Sequence, residues 1–224
     1  MRDRLSCWWR STVGRKALAA VSGLALAVWV GLHLAGNLTL FAGPGAADGY
    51  AAALRRAPAL LWATRAGLLL AAVTHLGAVT SLARANWAAR PRRQGQVPDR
   101  RPERRLAGLA ARGMRCGGVL LLAFVGYHLL HLTLGTLHPA FQPGHPYANV
   151  TTGLRSPVVA MVYLAAAGLL GLHLFHGVWA AVRSLGLRPA RAAERRRPVI
   201  GVLAAALAVG FASLPLAVLA GWLR

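Results

Sequence analysis

The chain has 224 residues, 56% hydrophobic and only 14% charged, and its 26 Lys and Arg against 5 Asp and Glu give a net charge of +21. So few charges cannot clothe a soluble domain, which disfavours a soluble nucleic-acid binder despite the basicity, and the apolar content excludes a disordered basic chain. Two cysteines, Cys7 and Cys116, are too few for a disulfide framework or a four-thiolate zinc site. An integral membrane protein with its charge gathered in loops remains.

Five apolar runs follow in chain order, predicting an all-α bundle of five transmembrane helices in one domain spanning 1–224. The expected helices cover about 17–41, 60–83, 114–137, 157–182 and 198–223. At ~1.5 Å per residue each run of about 20 residues or more crosses a ~30 Å hydrocarbon layer, and lipid tolerates no unpaired backbone, so the runs should be helical. Their Ala, Leu and Gly content suits close helix approach. The basic leader MRDRLSCWWRSTVGRK could introduce a signal peptide. The first run is longer than a signal core of about 7–15 residues and no clear cleavage site follows, so a retained helix is expected.

Segments 1–16, 84–115 and 183–197 together hold 21 of the 26 basic residues; the opposite side holds Arg55, Arg56, Arg65, Arg155 and Arg224. The positive-inside rule then places the N-terminus and both basic loops in the cytoplasm, in a multi-pass protein of the cytoplasmic membrane. Anionic lipid and the membrane potential account for these loops better than nucleic acid does. A protein partner with an acidic face could use the same loops.

Eight histidines carry the chemical information. His138 and His145 fall in an outer loop and are expected to be solvated. His33, His75, His128, His131, His173 and His176 lie within the expected helices, where an ionisable side chain is costly and needs a partner or a task. Counted from the cytoplasmic end of each helix, His33 lies about 16 residues in (~24 Å) and His128 about 14 (~21 Å), whereas His75 and His173 lie about nine (~13 Å). The four therefore fall into two couples at two levels, offset by ~8–11 Å.

Two imidazoles at one depth can hold one metal centre. With no carboxylate in the helices and no suitable thiol, haem iron fits better than zinc or non-haem iron, since it needs only two axial imidazoles and a flat apolar slot. Gly23 and Gly36 near His33, Gly117, Gly118 and Gly135 near His128, and Gly168 and Gly177 near His173 could open that slot, although glycine also serves plain helix packing. Two axial ligands leave no open position, so the chemistry expected is electron transfer along two stacked haems. His131, one turn beyond His128, is the alternative outer ligand, with the spacing favouring His128. His131 and His176 could otherwise bond a haem propionate or a neighbouring helix.

Several stretches together resemble a known family. They are S-T-V-G-R-K at 11–16, H-L-A-G-N-L-T-L-F at 33–41, F-V-G-Y-H-L-L-H-L-T at 124–133, and G-L-H-L-F-H-G-V-W at 171–179 with S-L-G at 184–186. Y-A-N-V at 147–150 and R-S-P at 155–157 add to them. Over nearly its whole length the chain resembles the five-helix, diheme cytochrome b subunit of succinate dehydrogenase and fumarate reductase. The resemblance implies that His33 and His128 bind a distal haem b, and His75 and His173 a proximal one. It further implies a non-catalytic anchor for a flavoprotein and an iron-sulfur protein on the cytoplasmic face, passing electrons between succinate or fumarate chemistry and a membrane quinone, usually menaquinone. Arg15, Lys16, Arg84, Arg112, Arg115 and Arg183 are candidates to meet propionates or the iron-sulfur partner.

One departure stands out. Some fumarate reductases of this family carry a proton-moving Glu two residues before the fourth-helix ligand, where this chain has Gly171. Its five acids, Asp3, Asp48, Asp99, Glu103 and Glu194, all fall outside the expected helices. Asp48 is expected to cap a helix begun at Gly49, with acceptance of a quinol proton as the alternative. The competing overall readings are a bis-His cytochrome b of another respiratory dehydrogenase or hydrogenase, and a haem-free anchor or transporter. Transporters usually place charges or broken helices at mid-membrane, where this chain has only histidine.

Overall fold

The computed structural model describes residues 11–89, 102–186 and 196–224, with the side chains of 102–111 left aside. The basic segments 1–10, 90–101 and 187–195 lie outside the described residues, and with them more than half of the cytoplasmic charge expected above.

Every described element is helical. In chain order they are α1 (Thr12–Leu38), a short 3-10 turn (Thr39–Ala42), α2 (Pro44–Arg55), α3 (Pro58–Ala88), α4 (Pro102–His128) with a π-helical turn (Leu129–Thr133), α5 (Pro146–Gly153), α6 (Pro157–Ser184) and α7 (Arg197–Leu219). Five are long and apolar enough to span a membrane: α1 with its 3-10 turn, α3, α4 from Arg112 onward, α6 and α7. Their outward faces carry exposed large apolar residues such as Val28, Leu69, Val119, Leu172 and Val202, the surface a helix offers to lipid rather than to water.

Local chemistry sets the ends. Ser11 caps α1, its hydroxyl accepting the Gly14 amide hydrogen at 2.9 Å, which gives the S-T-V-G stretch a structural reason. Proline stands in the first turn of α2, α3, α5, α6 and α7, where its missing N–H costs nothing. Helix α7 ends earlier than the expected 223. Gly221, at φ 74°, takes the left-handed conformation, and the Trp222 and Gly221 amides bond back to Ala217 and Val218 at 2.9 and 3.0 Å, closing a Schellman motif. The third span ends at Thr133 rather than 137 because Gly135, at φ 76°, turns the chain away. Helices α1 and α4 begin earlier, and α3 ends later, than hydropathy alone suggests, because the segments holding Arg15, Lys16, Arg84 and Arg112 continue as helix beyond the apolar run.

Helix α1 packs against α3, α6 and α7, and α6 packs against α7, α1 and α4. Neither α1 with α4 nor α3 with α6 is among the closely packed pairs. The best-packed apolar cluster lies at one end, where Leu40, Ala47, Val150, Leu154, Leu214 and Ala217 meet. Helices α2 and α5 and the 134–145 loop form a cap there. We call this the capped end; the other, with Arg84, Arg183 and Arg197, is the basic end.

Hydrogen bonds knit the cap. Asp48 does not cap its own helix, which begins at Pro44 instead of Gly49. Its carboxylate reaches across to α5, accepting the Tyr147 amide hydrogen at 3.0 Å and meeting His145 Nδ1 at 3.2 Å. A carboxylate at a foreign helix N-terminus satisfies an orphan donor and complements the helix dipole. Arg55 donates to the Gly144 carbonyl at 3.2 Å. The Asn149 side chain and the Gln142 backbone exchange two bonds of 2.8 Å each.

Candidate functional site

Four of the six histidines expected within the membrane, His33, His75, His128 and His173, stand between the helices at two levels. At the capped level, His33 of α1 and His128 of α4 meet edge to face, with ring centroids 5.9 Å apart and planes at 80°. A metal–imidazole bond of about 2 Å and a nitrogen-to-centroid distance of about 1.2 Å would let two imidazoles share one metal at up to about 6 Å between centroids. The observed spacing of His33 and His128 would suit such sharing. Aromatic rings enclose the couple: Trp29 stacks on His33 at 4.8 Å and 9°, Phe211 lies 6.0 Å from it, and Phe124 and Tyr163 flank His128 at 5.9 and 6.0 Å.

At the basic level, His75 of α3 is fixed by α1. Its Nδ1 lies 3.1 Å from the Ala19 carbonyl and 3.4 Å from the Ser22 hydroxyl. A carbonyl can only accept, so Nδ1 carries the hydrogen and Nε2 keeps the lone pair a metal takes. A backbone carbonyl accepting from one ring nitrogen commonly orients the other nitrogen of a metal-binding histidine. His173 of α6 has its Nδ1 buried with no hydrogen-bond partner. Buried polar atoms are rarely left so, and an orphan of this kind calls for a bound group or a small ring rotation.

Glycine makes room at this level. A Cβ on Gly23 of α1 would stand 3.0 Å from His75 Cε1, and one on Gly118 of α4 would stand 3.6 Å from His173 Cε1. Each glycine precedes the capped-level histidine of its own helix by ten residues, Gly23 before His33 and Gly118 before His128. Ten residues rise about 15 Å, so the two levels are that far apart on either helix, wider than the offset expected from apolar-run boundaries. Of the glycines expected to flank His33 and His128, Gly23 and Gly118 thus stand beside His75 and His173, and Gly117 meets Leu169. Gly36 instead abuts Tyr50, Gly135 sits in the turn against Phe141, and Gly168 and Gly177 face open space.

The remaining histidines separate cleanly. His131 is 1% exposed and its Nδ1 meets the Tyr163 hydroxyl at 2.9 Å. His138 is buried rather than solvated. Its ring stacks on His131 at 5.0 Å, its Nδ1 accepts the Ala140 amide hydrogen at 3.0 Å, and its Nε2 donates to the Asn149 carbonyl at 2.8 Å. The apolar letters around it gave no hint of this, because the loop folds back under α5. His145 remains solvent-exposed and pairs only with Asp48. His176 is half-buried and its Nδ1 lies 2.9 Å from the Leu172 carbonyl of its own helix. Tyr163 bears on His128 and His131 together, and sequence spacing did not single it out.

Among the described residues no cluster of three or more His, Cys, Asp or Glu could hold a metal ion. The donor set suits a group that needs two imidazoles and supplies its other ligands itself, as haem does. No protein-family model, curated protein or solved structure matches the chain.

Proposed function

We propose that this chain is a membrane-embedded diheme cytochrome b, the anchor subunit of a succinate:quinone oxidoreductase, with His33 and His128 holding one haem b and His75 and His173 the other. One observation carries the reading: four imidazoles, on four different membrane-spanning helices, stand at two levels, His33 and His128 in ring contact at one and His75 and His173 beside Gly23 and Gly118 at the other, on helix pairs that are not closely packed against each other. A haem held by these histidines would supply reversible one-electron transfer.

The chain's own residues hold and shield. Ala19 fixes the His75 ring with Nε2 bare. Trp29, Phe124 and Phe211 exclude water around the His33–His128 couple. The cap of α2 and α5 covers that couple from above. Arg183 and Arg197, both set over the Trp179 ring at the basic end, offer positive charge to propionates or to an iron-sulfur partner. We place that end in the cytoplasm, with a flavoprotein and an iron-sulfur protein docked on it, and quinone, usually menaquinone, as the membrane substrate. The succinate assignment rests on the sequence resemblance alone, and the couples suit any bis-His respiratory cytochrome b.

The chain purified from its native membrane tests both layers. Flavin and iron-sulfur subunits should co-purify, and succinate should reduce its haem. Haem reduced by hydrogen or another donor, with succinate inert, would keep the cytochrome and move it to another respiratory complex.

A further inference from the structure

A hydrogen-bonded chain runs from His128 through Tyr163 to His131. The Tyr163 hydroxyl lies 3.5 Å from His128 Nδ1, the long end of the hydrogen-bond range, and 2.9 Å from His131 Nδ1. Proton bookkeeping gives the chain a direction. An imidazole that binds metal through Nε2 carries its hydrogen on Nδ1, so His128 donates and the Tyr163 oxygen accepts. The Tyr163 hydrogen is then free to donate to His131 Nδ1, and His131 keeps its own hydrogen on Nε2.

The surroundings are built for this order. The π turn at Leu129–Thr133, closed by the Leu134 amide on the Leu129 carbonyl at 2.8 Å, carries His131 one turn beyond His128. Such turns widen a helix locally and gather at functional sites. Tyr127 stacks on His131 at 5.3 Å and 16°, and His138 stacks on it at 5.0 Å and 24°. Both nitrogens of His138 are engaged by backbone, so the chain ends at His131. A Cβ on Gly153 would lie 2.9 Å from His131 Cε1 and Nε2, so a glycine is needed for the ring to sit there.

We propose that Tyr163 is the positioning residue for the His128 ligand, accepting from its Nδ1–H and itself held in place by His131. The inference rests on the diheme reading and adds a residue that tunes the capped-level haem alone. An acceptor on Nδ1–H makes an imidazole a stronger donor to iron and favours the oxidised state. Its removal should raise the reduction potential of that haem.

The test is a spectroscopic redox titration of the purified full-length chain with its haem content measured first. Tyr163→Phe should retain two haems, raise the potential of one and leave the other unchanged. His131→Leu should do the same. His131→Asn, whose side-chain oxygen can replace Nδ1 as acceptor, should restore the wild-type value. Two haems with unchanged potentials in Tyr163→Phe would overturn the positioning role and leave the diheme reading standing. Loss of a haem in His131→Leu with retention in His128→Ala would make His131 the ligand and overturn it too. A wild-type chain free of haem would overturn both.

Discussion

Gly23 of α1 lies so close to His75 of α3 that a methyl group on it would stand 3.0 Å from the imidazole Cε1 and 3.1 Å from Nδ1. The matching position on α4, Gly118, leaves its imidazole 3.6 Å, ordinary van der Waals distance. The two glycines therefore differ in tolerance. Gly118→Ala should bind both haems. Gly23→Ala should weaken haem at the basic level, and Gly23→Leu should abolish it, with the other haem retained. Haem absorbance per chain, resolved by redox titration, reads this. Equal loss of both haems in Gly23→Leu would mean that the glycine serves helix packing in general.

The trans cap made by Asp48 should matter to stability and not to the cofactors. Asp48→Ala removes the acceptor for the Tyr147 amide and should cost about 0.5–2 kcal/mol, the usual range for a lost helix cap. Asp48→Asn keeps an acceptor oxygen and should lose less. Thermal unfolding in detergent measures the order wild type, Asn, Ala, and haem content should be the same in all three. If Asp48 instead handled a quinol proton, Asp48→Asn would lower quinone turnover with no change in stability.

Gly153 and Gly168 make a second contrast. A Cβ on Gly153 would meet His138 Nε2 at 2.8 Å and His131 at 2.9 Å, in a site where neither ring has room to retreat. Gly153→Ala should overpack the cap and cost about 1–3 kcal/mol. Gly168 faces open space, so Gly168→Ala should leave the melting temperature unchanged.

The orientation assigned from the basic loops places His145 outside the cell. In a chain with Cys7 and Cys116 changed to Ser, His145→Cys should react with a membrane-impermeant maleimide in intact cells. Labelling only after lysis would invert the topology.

Much of the architecture was legible because lipid imposes it: long apolar runs had to be helices, and the closeness of the His33 and His128 rings agrees with their similar depth. The capped end was not legible. Its cohesion comes from contacts between residues far apart in sequence, such as Asp48 with Tyr147 and His138 with Asn149, which no periodicity announces. His138 reads as a loop residue because hydropathy cannot see a loop folding beneath a helix. The spacing of the two levels was underestimated for a related reason. Apolar runs mark where lipid begins, whereas the helices continue past it, and only the contacts of Gly23 and Gly118 locate His75 and His173 along the bundle.

The account turns on haem stoichiometry in four variants of the purified chain. Wild type should hold two haems. His33→Ala and His128→Ala should each lose the same one, and His75→Ala and His173→Ala should each lose the other, as told by the spectrum and potential of the haem that stays. A wild-type chain without haem, or variants whose losses pair His33 with His75 or with His173, would contradict it.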